Sequence, residues 1–364
     1  MVNYILQYYQ QIKNGSVVVG QWIERLYEYI IKGLENKEFV LEQKKANNAI
    51  SWIEGHCFHV EGALAPSQLK LELWQKSLIS AMFGICDPET GLRRFREILL
   101  VVARKNGKSL IASAIANYMF QVDGGFGCRV YNVAPKLEQS EIIYSNTWAM
   151  IQLDPEYKEK KERVESERKQ THQKVDDEET IPKRRMSDIF IPATNSTMKK
   201  ISSSAKKSDG FNPSLCICDE IASWEGDKGL KTYEVLKSGM GARPEAMMLS
   251  CTTSGYVSDS IYDELIKRST RFLLGDSGEK RLLPFLYMAD DPEKWNDISE
   301  LQKSNPNLGI SVGVDYLLEE IAIAEGSLSK RAEFLTKYCC IKQNSSLAWL
   351  SAQVVESCFG SPLD

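Results

Sequence analysis

The stretch that most constrains the fold is Arg96 to Ala116, REILLVVARKNGKSLIASAIA. Ile98 to Ala103 is an apolar run bounded by charge and rich in β-branched residues, the pattern of a buried strand. Arg104-Lys105-Asn106-Gly107-Lys108-Ser109 follows at once, and then Leu110 to Phe120, small and apolar at helical spacing. Strand, short loop, Gly-Lys-Ser and helix is the layout of a phosphate-binding loop. Backbone N–H groups and the helix N-terminus wrap an anion, the lysine reaches the outer phosphates, and the hydroxyl ligates Mg²⁺. Val102 stands where G-x-x-x-x-G-K-[ST] has its first glycine, so the context is met although the pattern is not. Alone, the same residues also read as a basic turn capped by Ser109.

Three further features fit the first reading. Leu215-Cys216-Ile217-Cys218 is an apolar run that ends in Asp219-Glu220. At the C-terminal edge of a parallel sheet, where ligands sit, the first acid can complete a Mg²⁺ shell and the second can polarise an attacking water. Ala246 to Cys251 is another strand, and Thr252-Thr253-Ser254-Gly255 at its end offers hydroxyls to a γ-phosphate or its water, or else forms a simple turn closing on Gly255. Trp74-Gln75 precedes the loop by about thirty residues, where the amide can pair with an adenine edge and the indole can cover a ring face.

Elsewhere, residues 1 to about 55 have helical spacing and no chemistry of their own. His56, Cys57 and His59 lack a clear fourth ligand and read as local packing rather than zinc. Cys128 to Ala134 reads as a strand, a helix follows from Leu137 to Leu153, and short strands are expected at Asp188–Pro192 and Met198–Ile201. Residues 155 to 188 are mostly charged and read as a solvated, partly helical insertion or lid, or an inert surface excursion. Helices are expected over Ile261–Phe272, Asp315–Ala324 and Ser329–Lys337, with loops and short elements from Gly275 to Pro306. Strand–helix alternation implies a mainly parallel sheet. The net charge of −4 excludes no function class; a protein that coats nucleic acid is usually basic, so any such contact is local or weak. Nine cysteines without a CxxC pair read as reduced, and neither a signal peptide nor a run of 18 apolar residues is seen.

Trp74-Gln75, the Ala-Arg-Lys-Asn-Gly-Lys-Ser loop, Asp219-Glu220 and Thr252 to Gly255, in this order, resemble the large terminase subunit of tailed bacteriophages. That family commonly replaces the first glycine and carries a basic residue inside the loop. Asp209 to Pro213 and Lys303-Ser304-Asn305-Pro306-Asn307 also look like it, so the resemblance covers roughly residues 65 to 345.

The resemblance implies an α/β P-loop NTPase: a mainly parallel β-sheet flanked by helices on both faces, a helical N-terminal lead-in and a small C-terminal subdomain or linker. Expected boundaries are 1–60 for the lead-in, 61–275 for the ATPase core, 276–345 for a lid or linker subdomain, and 346–364 for a connector to a C-terminal nuclease domain absent here. It further implies an ATP-hydrolysing, Mg²⁺-dependent motor that drives double-stranded DNA through the portal protein into a procapsid, as a homo-oligomeric ring. A small terminase subunit would be its partner, and the host cytoplasm its place, with no membrane. Lys108 would bind the β/γ-phosphates, Ser109 and Asp219 the Mg²⁺, Glu220 would activate water, and Gln75 with Trp74 would hold adenine. Arg104, Lys105, Asn106 and Gly107 complete the loop, with Arg104 a cis arginine finger, and Thr252, Thr253, Ser254 and Gly255 would couple hydrolysis to movement. Lys206, Lys207 and Arg243 are candidates for a finger acting on a neighbour. Lys199-Lys200 and the basic part of 158–170 are candidates for DNA contact.

Rival readings are a helicase-like ATPase, which needs a second motor domain, and a portal-docking assembly module that binds nucleotide without turnover. A GTPase is disfavoured, since no N-K-x-D occurs.

Overall fold

The structure is a computed structural model that describes residues 1–171, 175, 177–203 and 210–343. The chain opens with α1 (Tyr4–Lys13), α2 (Gln21–Glu35), β1 (Val40–Leu41), α3 (Gln43–His56), α4 (Leu73–Gly84) and β2 (Ile85–Cys86). Then come β3 (Glu97–Val101), α5 (Lys108–Tyr118), β4 (Arg129–Ala134), α6 (Leu137–Leu153) and α7 (Pro155–Thr171). The middle holds β5 (Lys183–Arg184), β6 (Asp188–Ile191), β7 (Ser196–Ser202), β8 (Leu215–Asp219), α8 (Gly226–Gly239) and β9 (Met247–Thr252). Last are α9 (Ile261–Leu273), β10 (Leu282–Leu286), α10 (Ile298–Ser304), α11 (Val314–Glu325) and α12 (Leu328–Tyr338).

Among the described residues, eight strands form one sheet in the order β10-β3-β9-β8-β4-β7-β6-β5. The strands from β10 to β7 run parallel, and β6 and β5 turn back antiparallel at one edge. Continuous apolar runs such as Ile98–Val101 and Leu215–Cys218 suit this position, because parallel strands are covered on both faces. Helices supply the cover: α5 lies against β8 and β9, α6 against β4 and β7, and α2 and α9 against β10. This is the expected α/β architecture.

Two departures from the expected boundaries have plain causes. Residues 1–60 are not set apart, because Ile5, Tyr8, Ile23, Leu26, Tyr27 and Ile30 are buried in the same core as the sheet. The stretch of loops and short elements after Gly275 contains β10, a strand of the main sheet, although its Pro284 argues against one. Proline lacks the N–H a ladder needs, and β10 tolerates it as an edge strand paired with β3 alone. The second core therefore begins only near Ala289, and joins Trp295, Leu301, Leu317, Ile321, Phe334 and Tyr338. Its tie to the first part is specific: Asp290 Oδ1 accepts the amide of Gln21, 3.1 Å away, at the N-terminus of α2.

The charged insertion is partly helical and has a small core that its composition does not announce. Helix α7 packs Val164 and Tyr157 against Val175 and Ile181 in a small core of its own. Tyr157 meets Trp148 of α6 edge-on, with ring centroids 6.1 Å apart. Residues 346–364 lie outside the described residues.

Candidate nucleotide site

The register aligns the C-terminal ends of three adjacent strands. Val101 of β3 pairs with Thr252 of β9, and Asp219 of β8 pairs with Cys251 of β9. The phosphate loop, the Thr-Thr-Ser-Gly segment and the acidic pair therefore emerge side by side, with β9 between the other two.

The loop geometry explains the missing glycine. Val102 still continues the sheet, its amide donating to the Thr252 carbonyl at 3.1 Å, so no left-handed residue is needed there. Positive φ falls instead on Lys105 (66°) and Gly107 (79°), and Gly107 caps α5. A lysine in this region costs about 1 kcal/mol, and its carbonyl is held by the Ser311 hydroxyl at 2.6 Å. Lys108 begins α5 with its side chain buried, and its Nζ donates to the carbonyls of Val102 (3.2 Å) and Ala103 (3.4 Å). Ser109 follows in the first turn of α5, and the Arg104 and Lys105 side chains are exposed.

Asp219 is 4 % exposed, and its Oδ1 has no hydrogen-bond partner among the described residues. Burial, reinforced by Glu220, pushes its carboxyl up to about 7, while Lys108 draws it down. A buried carboxylate oxygen without a donor, close enough to the start of α5 to feel the Lys108 charge, fits a divalent cation. Glu220 is half-buried and left-handed, at φ 49° and ψ 45°. Such strain in a non-glycine residue is common at functional positions.

The Thr-Thr-Ser-Gly segment touches both neighbours. Thr252 Oγ1 accepts the amide of Ala222 (3.1 Å), just beyond Glu220, and donates to the Thr253 carbonyl (2.7 Å). Thr253 Oγ1 donates to the Ser254 carbonyl (3.2 Å), and Ser254 Oγ to Thr336 of α12 (3.0 Å). Gly255 lies so near Ala222 that a Cβ on it would sit 2.8 Å from that residue's carbonyl oxygen.

Other expected site residues lie differently. The indole of Trp74 is 3 % exposed, meets Tyr287 edge-on, and donates its N–H to Asn307 Oδ1 at 2.7 Å. Its ring is committed to the core, so it presents no face to a base. Gln75 keeps its place beside the loop, with Nε2 3.7 Å from where a Gly107 Cβ would be, while its Oε1 accepts the Glu72 amide in a capping box. The Asn106 side chain turns away from the cradle. Its Nδ2 donates to Asn305 Oδ1 (2.9 Å) and its Oδ1 accepts the Asn307 amide (3.0 Å). Nothing in the residue types signals this partnership, because the two segments are 199 positions apart.

Arg243 is engaged at the opposite edge of the sheet, donating to Asn212 Oδ1 (2.8 Å) and the Gly127 carbonyl (2.6 Å), which ill suits a free finger. Lys206 and Lys207 lie outside the described residues. Lys200 is paired with Glu141, whereas Lys199 and most of the charged side chains along α7 are exposed. His56 Nδ1 lies 2.9 Å from Asp154 and stacks on Trp52, and among the described residues no group of three or more His, Cys, Asp or Glu is placed to hold a metal. The eight cysteines among the described residues are buried and unbridged, and no described helix is long and apolar enough to cross a membrane.

Comparison with known proteins bears on the family and the fold. The chain is 25 % identical over 327 residues to the terminase large subunit of Lactococcus phage p2, covering 89 % of this chain and 56 % of that protein. Against the terminase large subunit of Enterobacteria phage HK97 it is 24 % identical over 210 residues, 57 % of this chain and 36 % of that one. The protein YmfN of Escherichia coli K12 is 29 % identical over 154 residues, 42 % of this chain and 33 % of that one. The chain thus spans about half, or less, of the length of these relatives. The crystal structure of the HK97 large terminase superposes with a TM-score of 0.62 at 18 % identity, over 82 % of this chain and 55 % of that one, which shows a shared fold. The family model "Terminase large subunit, ATPase domain" matches residues 73–271, more than half of the chain, and the chain belongs to that family.

Proposed function

We propose that the chain hydrolyses ATP with Mg²⁺ and uses the energy to move double-stranded DNA into a procapsid. The observation that carries this reading is the alignment of three strand ends, which brings Lys108, the Thr252 to Gly255 segment and Asp219-Glu220 to one edge of the sheet. Lys108 and the loop amides bind and orient the phosphates, and Gln75 meets the base. Ser109 and Asp219 are the residues that would hold Mg²⁺, which when bound neutralises charge on the phosphate oxygens. Glu220 orients the water and accepts its proton, a role that requires its carboxylate ionised. Arg104, exposed within the loop, supplies positive charge to the transferring phosphoryl group. Thr252 and Ser254 link the turn after Glu220 to α12, so a change at the acidic pair has a direct route to the C-terminal subdomain.

The proposed partners are DNA, held through its phosphates without reading sequence, the portal protein and a small terminase subunit, in the cytoplasm of the infected or prophage-bearing host. A ring of identical subunits would complete each site. The test is steady-state ATP hydrolysis with Mg²⁺ over a range of protein concentrations, for the chain and for Lys108→Ala. Activity that depends on Lys108 and rises faster than linearly with concentration is the expected result. Binding without turnover at any concentration, with and without DNA and portal, would contradict a motor.

A further inference from the structure

An α-helix leaves its last four carbonyls without partners inside the helix. At the end of α12, three of these are taken by distant segments that meet at the nucleotide site. Thr336 accepts the Ser254 hydroxyl (3.0 Å), Lys337 accepts the amide of Arg104 in the phosphate loop (3.0 Å), and Tyr338 accepts Asn305 Nδ2 (2.9 Å). Asn305 is the pivot of this arrangement. Its Nδ2 also donates to Leu301 (2.9 Å), while its Oδ1 accepts Asn106 Nδ2 (2.9 Å) from the middle of the loop. Both ends of one buried amide are thus used, one on the C-terminal subdomain and one on the loop.

The Asn106 amide group in turn donates to the carbonyls of Ala103 (3.2 Å) and Arg104 (3.1 Å), which fixes the turn that leads to Lys108. Ser311 adds a second hold on the same loop through Lys105. The loop includes two left-handed residues, one of them a lysine, a strained form that needs surrounding bonds to persist. Beside its own bonds and that of Val102 to β9, the loop is held by Asn305, Ser311 and Lys337 of the C-terminal subdomain.

We propose that Asn305 is a positioning residue for the phosphate loop, acting through Asn106 to hold residues 103–107 in the form that takes the phosphates of the nucleotide. The assignment rests on reading that loop as the nucleotide site. It gives the C-terminal subdomain control over nucleotide affinity through one amide, separate from the Thr252–Ser254 route.

The test is the affinity of the whole chain for Mg-ADP, with the melting temperature without nucleotide measured in parallel. Asn305→Ala is expected to raise Kd about tenfold, and Ser311→Ala, which removes only an exposed hydroxyl, about threefold with no change in melting temperature. Asn106→Ala with Asn305→Ala should bind no more weakly than the weaker single variant, since both break the same bond. A purely structural role would lower the melting temperature and leave affinity alone. Wild-type affinity in both Asn305→Ala and Ser311→Ala, with binding lost in Lys108→Ala, overturns the positioning role. Should Asn305→Ala not fold, Ser311→Ala decides by the same criterion. A wild-type chain that binds no Mg-ADP overturns the phosphate-loop reading itself, and the positioning role with it.

Discussion

The hydroxyl of Ser254, on the strand end between the phosphate loop and the acidic pair, donates to the carbonyl of Thr336, 82 residues further on and 3.0 Å away. Such a bond contributes only about 1 kcal/mol to the fold, so its loss should be felt mainly in transmission. Ser254→Ala is expected to lower kcat about tenfold while Kd for Mg-ADP stays within about twofold. Parallel turnover and binding measurements check this; an equal loss in both would place Ser254 in nucleotide binding instead.

Asp219 works against the fold at neutral pH. Its carboxyl rises from 3.8 in the unfolded chain to about 7 in the folded one, so the folded state binds the extra proton between those values. Stability without nucleotide must then fall as pH rises from about 4 to about 7 and level off above, at a cost on the order of 4 kcal/mol. Asp219→Asn is expected to remove that slope, to raise the melting temperature at pH 8, and to abolish turnover. Denaturant titrations of both proteins at pH 5 and pH 8 make the comparison.

Glu97, at the other end of β3, behaves in the opposite way. Burial raises its carboxyl, but Arg268 at 2.7 and 2.9 Å, Lys237 at 2.7 Å and Tyr233 at 2.6 Å outweigh it and bring it from 4.5 to about 2. Its contribution, about 3 kcal/mol, is fully present above pH 4.5 and is lost as pH falls towards 2. Glu97→Gln should destabilise the chain by about 2–4 kcal/mol at pH 7 and flatten its acid unfolding in that window, read by circular dichroism. Nucleotide affinity in the surviving folded fraction should be unchanged.

Gly255 is held to its size by a backbone group. A Cβ added there would lie 2.8 Å from the Ala222 carbonyl oxygen, a gap that cannot open without moving the turn after Glu220. Gly255→Ala is expected to cost about 1–3 kcal/mol in stability and to depress turnover further than Ser254→Ala does. Thermal unfolding and hydrolysis rates check both parts.

These positions also show what a linear reading reaches. The strand ends that carry Lys108 and Asp219 are legible because buried parallel strands are unbroken apolar runs, and a polar cluster at such an end has few structural uses. Leu282 to Leu286 is not, since Pro284 hides an edge strand that only the sheet order reveals. Trp74 reads as a cover for adenine because an indole beside a glutamine suits that role equally well, and it is distant partners, Tyr287 and Asn307, that commit it to the core. Asn305 and Asn307 stand out as resembling a family pattern, yet their chemistry depends on Asn106, and side-chain amides carry no periodicity that would pair them. Val164, Val175 and Ile181 are too sparse among charges to announce a core.

The most direct test of ATP hydrolysis at this site concerns Glu220. Steady-state hydrolysis of Mg-ATP by the chain and by Glu220→Gln should be compared, with nucleotide affinity measured on the same samples. If Glu220 accepts the proton of the attacking water, the rate falls by about 100-fold or more while Mg-ATP still binds. Hydrolysis by Glu220→Gln at the wild-type rate would contradict the assignment and with it the mechanism built on the Asp219-Glu220 strand end.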